Sequence, residues 1–280
     1  MTSSYPTLPL HTVPDRKPGA RPASQIVEQL IKENKGCLKE REDVLLQEYL
    51  EGNIPNFLRT LQPVPLKGED GTLVLYCLPD YLCVGSDSDF VHTPMSVILA
   101  QQIAFAWKMQ IPTIEMVDAT RRASAIKLDF RAMTPTGGFP RDATMMSTER
   151  WPIHTGWFMT DMSARGGRLG QLVSGHKKDA VIHPWIIKDQ FRHCGIHGAY
   201  FGNDTPIHNF EYNQTAHELS YKDYSHGTRL YFPTVYVLND GVEGAPKEVE
   251  VGETIAHWLM GENHKPLSKT RFPSEPSYPV

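Results

Sequence analysis

A mainly apolar segment is the feature that most limits how this chain can fold. Residues 95–109 read MSVILAQQIAFAWKM and are apolar on nearly every face of a helix. Thr93 and Pro94 precede the segment, and a polar cap followed by a first-turn proline commonly begins a helix. A helix without a polar face can be accommodated only inside a folded domain. The sequence therefore predicts a core built around this helix.

Amphipathic helices and short strands surround this segment along the chain. Apolar residues recur at intervals of three and four over 24–31 and 44–50, which predicts two helices with one buried face. The runs TLVLYCL at 72–78 and RLYFPTVYVL at 229–238 predict strands. Their order predicts an α+β fold, with N-terminal helices packed with a mixed or antiparallel sheet and a strand-rich C-terminal half.

Composition divides the chain into an arm and one domain. Residues 1–22 contain five prolines and few large aliphatic side chains, so we expect an extended or disordered arm. Residues 23–280 are expected to form a single α+β domain. Within it, 133–167 is rich in Gly, Pro, Thr and Met, which predicts a long loop or lid.

Charge and cysteine usage exclude several classes of partner. The chain has 28 basic and 32 acidic side chains and a net charge of -4, which argues against nucleic acid as a partner. No apolar run reaches the roughly 18 residues that cross a bilayer. The four cysteines show no C-x-x-C spacing, and no signal segment begins the chain, so we expect a cytoplasmic location. The oligomeric state stays open.

Histidines are concentrated in one part of the sequence. Seven of the twelve lie within residues 176–226, where an even distribution would place roughly two. Aspartates and glutamates are interleaved with them. Imidazole and carboxylate are the ligands that dominate catalytic zinc and non-haem iron sites. This stretch is therefore the predicted location of a metal site.

Spacing selects four candidate ligands from that stretch. A glycine-led turn delivers His176 and Asp179 at the mouth of a predicted strand. His197 lies on the glycine-containing run RHCGIHG, and His226 lies at the entrance of the 229–238 strand. We predict that these four residues bind a divalent metal, with zinc favoured over iron or manganese.

A metal at this position predicts a hydrolase of amide or ester-like bonds in a small-molecule or peptide-like substrate. Asp223 is the expected proton acceptor, and Lys178 is expected to stabilise an oxyanion. Three polar or aromatic residues of the 133–167 segment are the expected substrate-binding residues: Arg141, His154 and Trp157.

Two other functions fit the same residues. In the first, no metal is bound and a histidine acts as general base for Cys194 or Ser225 in acyl transfer. In the second, the protein is a non-enzymatic small-ligand binder whose histidines sense pH. The zincin helix, the nucleophile elbow, the phosphate loop and the dinucleotide fingerprint have no match in the sequence.

Overall fold

The structure is a computed structural model that describes residues 5–33, 38–68, 71–133, 145–182, 193–202, 204–208, 216–238 and 247–250. Within these residues the chain has the predicted α+β fold, with five α-helices and fourteen strands. None of the helices in the described ranges is both long and apolar enough to cross a membrane.

The helices occupy the first two thirds of the chain: α1 (Ala23–Lys32), α2 (Leu38–Leu50), α3 (Val97–Ala106), α4 (Ile114–Ala123) and α5 (Arg150–Ala164), with a 3-10 turn at Asn56–Arg59. The strands are β1 (Leu8–Pro9), β2 (Thr60–Gly68), β3 (Gly71–Cys77), β4 (Cys83–Ser86), β5 (Asp89–His92), β6 (Ile126–Lys127), β7 (Val173–Ser174), β8 (Lys178–Val181), β9 (His193–Tyr200), β10 (Pro206–His208), β11 (Ala216–Glu218), β12 (His226–Gly227), β13 (Thr234–Leu238) and β14 (Lys247–Glu250).

Two larger sheets organise the strands. The first is antiparallel and has the order β1-β2-β3-β13-β14. The second has the order β10-β9-β8-β12, with β11 also paired to β9 and β12 running parallel to β8. A β4–β5 hairpin and a parallel β6–β7 pair complete the described strands. The predicted mixed or antiparallel arrangement is thus present in both sheets.

Helix α3 lies in the core, as its sequence predicts. Six of its residues are buried, and Phe105 near its end is 67% exposed. The helix begins after Ser96 and not at Thr93–Pro94, because the Ser96 hydroxyl accepts the Leu99 amide at 3.1 Å. The buried Glu42 carboxylate in turn accepts the Ser96 amide at 2.6 Å and its hydroxyl at 2.7 Å.

Two other sequence expectations differ from the structure in detail. Residues 150–164 form helix α5 inside the expected 133–167 loop, because Trp151, Phe158 and Met162 share one buried face. Strand β13 begins at Thr234, later than expected. The described part of the arm, 5–22, is extended and packs on the domain through buried Leu10 and Val13. The sequence also predicts a last helix at 253–260, which lies outside the described residues.

Candidate functional site

Two histidines and one aspartate meet in the interior, and we call these three residues the histidine centre: Asp80, His92 and His176. Asp80 Oδ2 lies 2.9 Å from His92 Nε2, and Asp80 Oδ1 lies 3.2 Å from His176 Nε2. The three side chains are between 1% and 4% exposed. Each offers one ligand atom, and the three atoms lie within 4.8 Å of one another. Among the described residues, no other such group of His, Cys, Asp or Glu is present.

Three separate parts of the chain deliver these side chains. Asp80 lies in the connection between β3 and β4, His92 ends β5, and His176 follows Gly175 between β7 and β8. Gly175 has a φ of +107°, and a Cβ there would lie 2.0 Å from the Leu128 carbonyl oxygen. Only glycine can place the backbone so close, and so only glycine brings His176 to this position.

The donor set and spacing suit a first-row divalent metal. Two imidazoles and one carboxylate form the ligand set of many catalytic zinc and non-haem iron sites. Ligands held at 2.0–2.2 Å by one tetrahedral zinc lie about 3.3 Å apart. The separations of 2.9 and 3.2 Å are close to that value. The centre could therefore accept an ion with small shifts of its side chains.

His176 has an unusual environment for a buried histidine. Its Nδ1 makes no hydrogen bond to any residue that the structure describes, and its Nε2 contacts Asp80 Oδ1 at 3.2 Å. Its ring is packed between aromatic groups, with centroid distances of 4.6 Å to Phe158 and 5.0 Å to Tyr81. A buried polar group without a partner costs free energy, and a bound ion would remove that cost.

Thr155 of α5 orients His92 from the opposite side. The Thr155 hydroxyl accepts the His92 amide at 3.1 Å and lies 3.3 Å from His92 Nδ1. A histidine that binds a metal through Nε2 commonly donates its other ring N–H to an oxygen. Thr155 therefore supplies the contact that leaves Nε2 of His92 turned towards Asp80.

Burial and mutual charge shift the pKa values of the centre. Burial lowers the pKa of His176 to about 4, although the Asp80 charge opposes this shift. Burial likewise lowers the pKa of His92, again against Asp80. Burial alone would raise the pKa of Asp80, but the two histidines outweigh it and hold the pKa below its usual range. The centre therefore offers neutral imidazoles and a carboxylate at neutral pH, the forms that bind metal.

A buried lysine follows His176 directly. Lys177 is 1% exposed, and its ammonium donates a hydrogen bond of 2.7 Å to the Tyr224 carbonyl. Burial lowers the pKa of Lys177 to about 7, although the charges of Asp223 and Asp80 oppose the shift. His154 is buried nearby, and burial and the Lys177 charge hold its pKa well below the usual range.

Tyr81 connects the centre with a second buried carboxylate. Its hydroxyl donates to Asp179 Oδ2 at 2.9 Å, and the Arg229 guanidinium lies 4.7 Å above its ring. Burial raises the pKa of Asp179 to about 7, despite the Arg229 charge. The other oxygen, Oδ1, has no hydrogen bond to a described residue. Asp179 thus has a pKa suited to accepting a proton near neutrality.

The predicted ligands lie on neighbouring strands of the second sheet. Asp179 is directly opposite His197, whereas His226 is opposite Lys178. Residues directly opposite share a face and adjacent residues alternate, so Asp179 and His197 face away from the side that carries His226. This arrangement disfavours one shell that contains all four residues. Of the predicted set, the histidine centre includes His176.

The remaining predicted ligands and catalytic residues have partners of their own. His197 Nε2 lies 2.8 Å from Asp118 Oδ1, which also accepts the Tyr200 hydroxyl at 2.7 Å. Lys178 and Asp223 form a buried ion pair at 3.3 Å. Despite burial, the charges of His226 and Lys178 lower the pKa of Asp223 to about 2, which makes this carboxylate a weak base.

The predicted substrate-binding residues are only partly described. His154 and Trp157 lie on α5, where His154 is buried beside the Tyr224 ring, with centroids 5.5 Å apart. Trp157 is half-buried and stacks under the Arg131 guanidinium at 4.4 Å. Arg141 lies outside the described residues. Substrate binding by these residues stays a prediction.

Sequence reasoning did not select Asp80 and His92 as site residues. Both lie outside the histidine-rich stretch, more than eighty positions before His176, so enrichment could not identify them. The feature that could have identified them is their position at the ends of strands. Asp80 directly follows the apolar run TLVLYCLP, and His92 ends a short strand before the buried helix. Polar residues where buried strands end often carry function.

A groove lies on the other side of His92. It encloses about 880 Å³ between α1, the β4–β5 turn and α5, and Thr155 and Phe90 form part of its lining. The Phe90 ring also packs against His92, with centroids 5.7 Å apart. The groove thus reaches the Nδ1 side of His92, away from Asp80.

Replacing Thr155 by valine tests its orienting role. The isosteric change removes the oxygen that contacts the His92 backbone amide and ring Nδ1, so we expect zinc affinity to fall by roughly 10–100-fold. Thr155→Ser keeps the oxygen and should stay within about threefold of the natural protein. Competition with a chromophoric chelator measures both affinities. An unchanged affinity in Thr155→Val would show that Thr155 does not act through His92.

The pH dependence of stability tests the buried state of Lys177. The pKa of Lys177 is about 7 in the folded chain, whereas an ordinary exposed lysine, as in the unfolded chain, has a pKa of 10.5. Between these two pH values the unfolded chain therefore binds more protons than the folded chain. Stability of the metal-free protein should therefore rise with pH above about 7, by up to about 1.4 kcal/mol per unit for this group. Burial raises the pKa values of Cys77 and Cys83, so their thiols oppose the trend at higher pH. Urea titrations between about pH 7 and 8.5 should show a steeper rise in the natural protein than in Lys177→Met. Equal slopes would contradict the assignment.

Comparison of the chain with models of protein families, with curated proteins and with solved structures finds no match.

Proposed function

We propose that the protein is a metal-dependent hydrolase of amide or ester-like bonds, with its ion held by Asp80, His92 and His176. One observation carries the proposal: His176 is buried with no hydrogen bond from its Nδ1 to a described residue, while its Nε2 lies 3.2 Å from the Asp80 carboxylate and its ring lies beside a second imidazole. Zinc is the expected ion, since three protein ligands with one position left open is its usual catalytic arrangement. When bound, such an ion supplies Lewis acidity for activating water and polarising a carbonyl.

The surrounding residues support hydrolysis over simple storage of an ion. Asp179 has one carboxylate oxygen without a hydrogen bond to a described side chain and a pKa of about 7, so it is better suited to take a proton than Asp223. Lys177 donates to the Tyr224 carbonyl and interacts electrostatically with Asp80. It is the more suitable group to stabilise developing negative charge, because Lys178 is paired with Asp223.

The proposal is tested by metal content and turnover together. Protein purified without chelators should contain zinc at about one ion per chain. It should hydrolyse members of a panel of esters and amides, lose this activity with chelator and regain it with zinc. His92→Ala should lose both metal and turnover, whereas His197→Ala, with its hydrogen bond to Asp118, should keep the metal. Turnover that persists without stoichiometric metal would refute the proposal.

The two alternatives predict different results in the same assays. A metal-free acyl hydrolase would be labelled by a covalent thiol or serine probe at Cys194 or Ser225. In the structure Cys194 is buried, and the Ser225 hydroxyl donates to Asp223. A non-enzymatic binder would be stabilised by ligands without forming product. The predicted cytoplasmic location fits the buried thiols of Cys77, Cys83 and Cys194, which are not joined in disulfides, and stays a prediction.

A further inference from the structure

The groove described above has the size of a ligand site. Its volume of about 880 Å³ lies within the range of pockets that hold small molecules. Helix α1 and helix α5 both pack on the β4–β5 hairpin, so three elements of regular structure form its sides. A groove between such elements is largely preformed, which reduces the cost of ordering on binding.

Apolar side chains cover much of the groove. Val27, Phe90 and Val91 are buried in its wall, whereas Ile31 on α1 and Met159 on α5 are 38% and 39% exposed. Large apolar side chains exposed at a concave surface mark a binding site more often than a random surface position. The groove therefore favours a ligand with an apolar group.

The rim of the groove carries excess negative charge. Among the described residues that line it, Glu28, Asp87 and Asp89 are acidic and Lys32 is basic. None of the three carboxylates forms an ion pair with a described residue.

Neutral donors hold the two aspartates in place. Asp89 accepts the Ser24 amide at 3.0 Å and its hydroxyl at 2.6 Å. Asp87 accepts from the Asn56 amide and from the backbone N–H of Phe57, each at 3.2 Å. Their charges are fixed in position and form no ion pair with a described residue, although Asp87 interacts electrostatically with Arg59. The groove should therefore attract a cation and repel an anion.

We propose that this groove binds a ligand that joins an apolar group to a cationic amine. The apolar part would lie between Ile31 and Met159, and the amine would lie at the carboxylate rim. The site is distinct from the histidine centre and does not depend on the proposed hydrolase activity. Thr155 separates the two, because its hydroxyl contacts His92 while the residue also lines the groove. A ligand in the groove would therefore lie one side chain away from His92.

Calorimetric titration with three matched probes tests the charge preference. Naphthylmethylamine, naphthylmethanol and naphthoate share one apolar group and differ in charge. The amine should bind the metal-free protein at least about tenfold more tightly than naphthoate, with the alcohol between them. The variant Glu28→Gln/Asp87→Asn should reduce this ratio to about twofold or less. Asp43→Asn is the control, since Asp43 is an exposed acid on α2, paired with Lys39.

A second variant locates the binding. Met159→Arg places a long cation in the groove at an exposed helix position, so the fold should survive and the amine should lose binding by at least about tenfold. Equal or tighter binding of naphthoate, no binding of any probe, or full binding by Met159→Arg would each overturn the proposal. Because the titration uses metal-free protein, its result is independent of whether the histidine centre binds zinc.

Discussion

His176→Ala should abolish tight zinc binding by the purified protein. The imidazole supplies one of three ligand atoms at the histidine centre, and its Nδ1 has no hydrogen bond to a described residue. Loss of an outer contact to a metal ligand typically costs 10–100-fold in affinity, so loss of a ligand should cost more than about 100-fold. Chelator competition, run beside a melting curve for each variant, measures this directly.

His226→Ala provides the matched control for this result. His226 is a buried histidine of the same histidine-rich stretch and lies on the face of the second sheet that carries Lys178. We expect its zinc affinity to stay close to that of the natural protein. If His226→Ala loses zinc and His176→Ala retains it, the ion lies elsewhere than the histidine centre.

Arg229→Ala should destabilise the fold by about 3–5 kcal/mol, the usual cost of breaking a buried charged network. Arg229 is 1% exposed and donates to the Leu78 carbonyl at 2.6 Å and to the Val173 carbonyl at 2.5 Å. It thereby joins β7 to the end of β3, where the connection that carries Asp80 begins. Its removal would leave both carbonyls without this donor and Asp179 without its nearby cation.

Arg165→Ala is the comparison for this stability measurement. Arg165 is 45% exposed and pairs with Asp129 at 2.9 Å, so its loss should cost less than about 1 kcal/mol. Urea unfolding of both variants gives the difference in their unfolding free energies, provided that the free energy falls with urea concentration at the same slope in both. Equal losses in the two variants would show that Arg229 does not stabilise this part of the interior.

The hydrophobic pattern predicted much of the fold. Residues 95–109 lack a polar face, so their burial followed from sequence alone, and α3 lies in the core. The bounds of α3 did not follow, because its cap depends on Glu42, which is 54 residues away in the chain. Helix α5 was missed because composition outweighed the spacing of Trp151, Phe158 and Met162. Composition describes a segment as a whole, whereas burial of one face depends on position.

The candidate site shows the same limit more strongly. Enrichment and a glycine-led turn indicated His176, and the structure places it in the centre. Its two partners, Asp80 and His92, come from distant parts of the chain that the sequence does not mark as neighbours. Strand pairing also separates the predicted ligands, because the register puts Asp179 opposite His197 and His226 opposite Lys178. Register is a property of the folded sheet and could not be obtained from local spacing.

Anomalous scattering from zinc-soaked crystals tests the histidine centre most directly. A peak at the zinc edge should lie about 2.0–2.2 Å from one oxygen of Asp80 and from one ring nitrogen each of His92 and His176. Crystals of His176→Ala, soaked with zinc in the same way, should lack the peak. A peak instead beside Asp179 and His197, or beside His226, with none between Asp80, His92 and His176, would contradict the assignment of the metal centre.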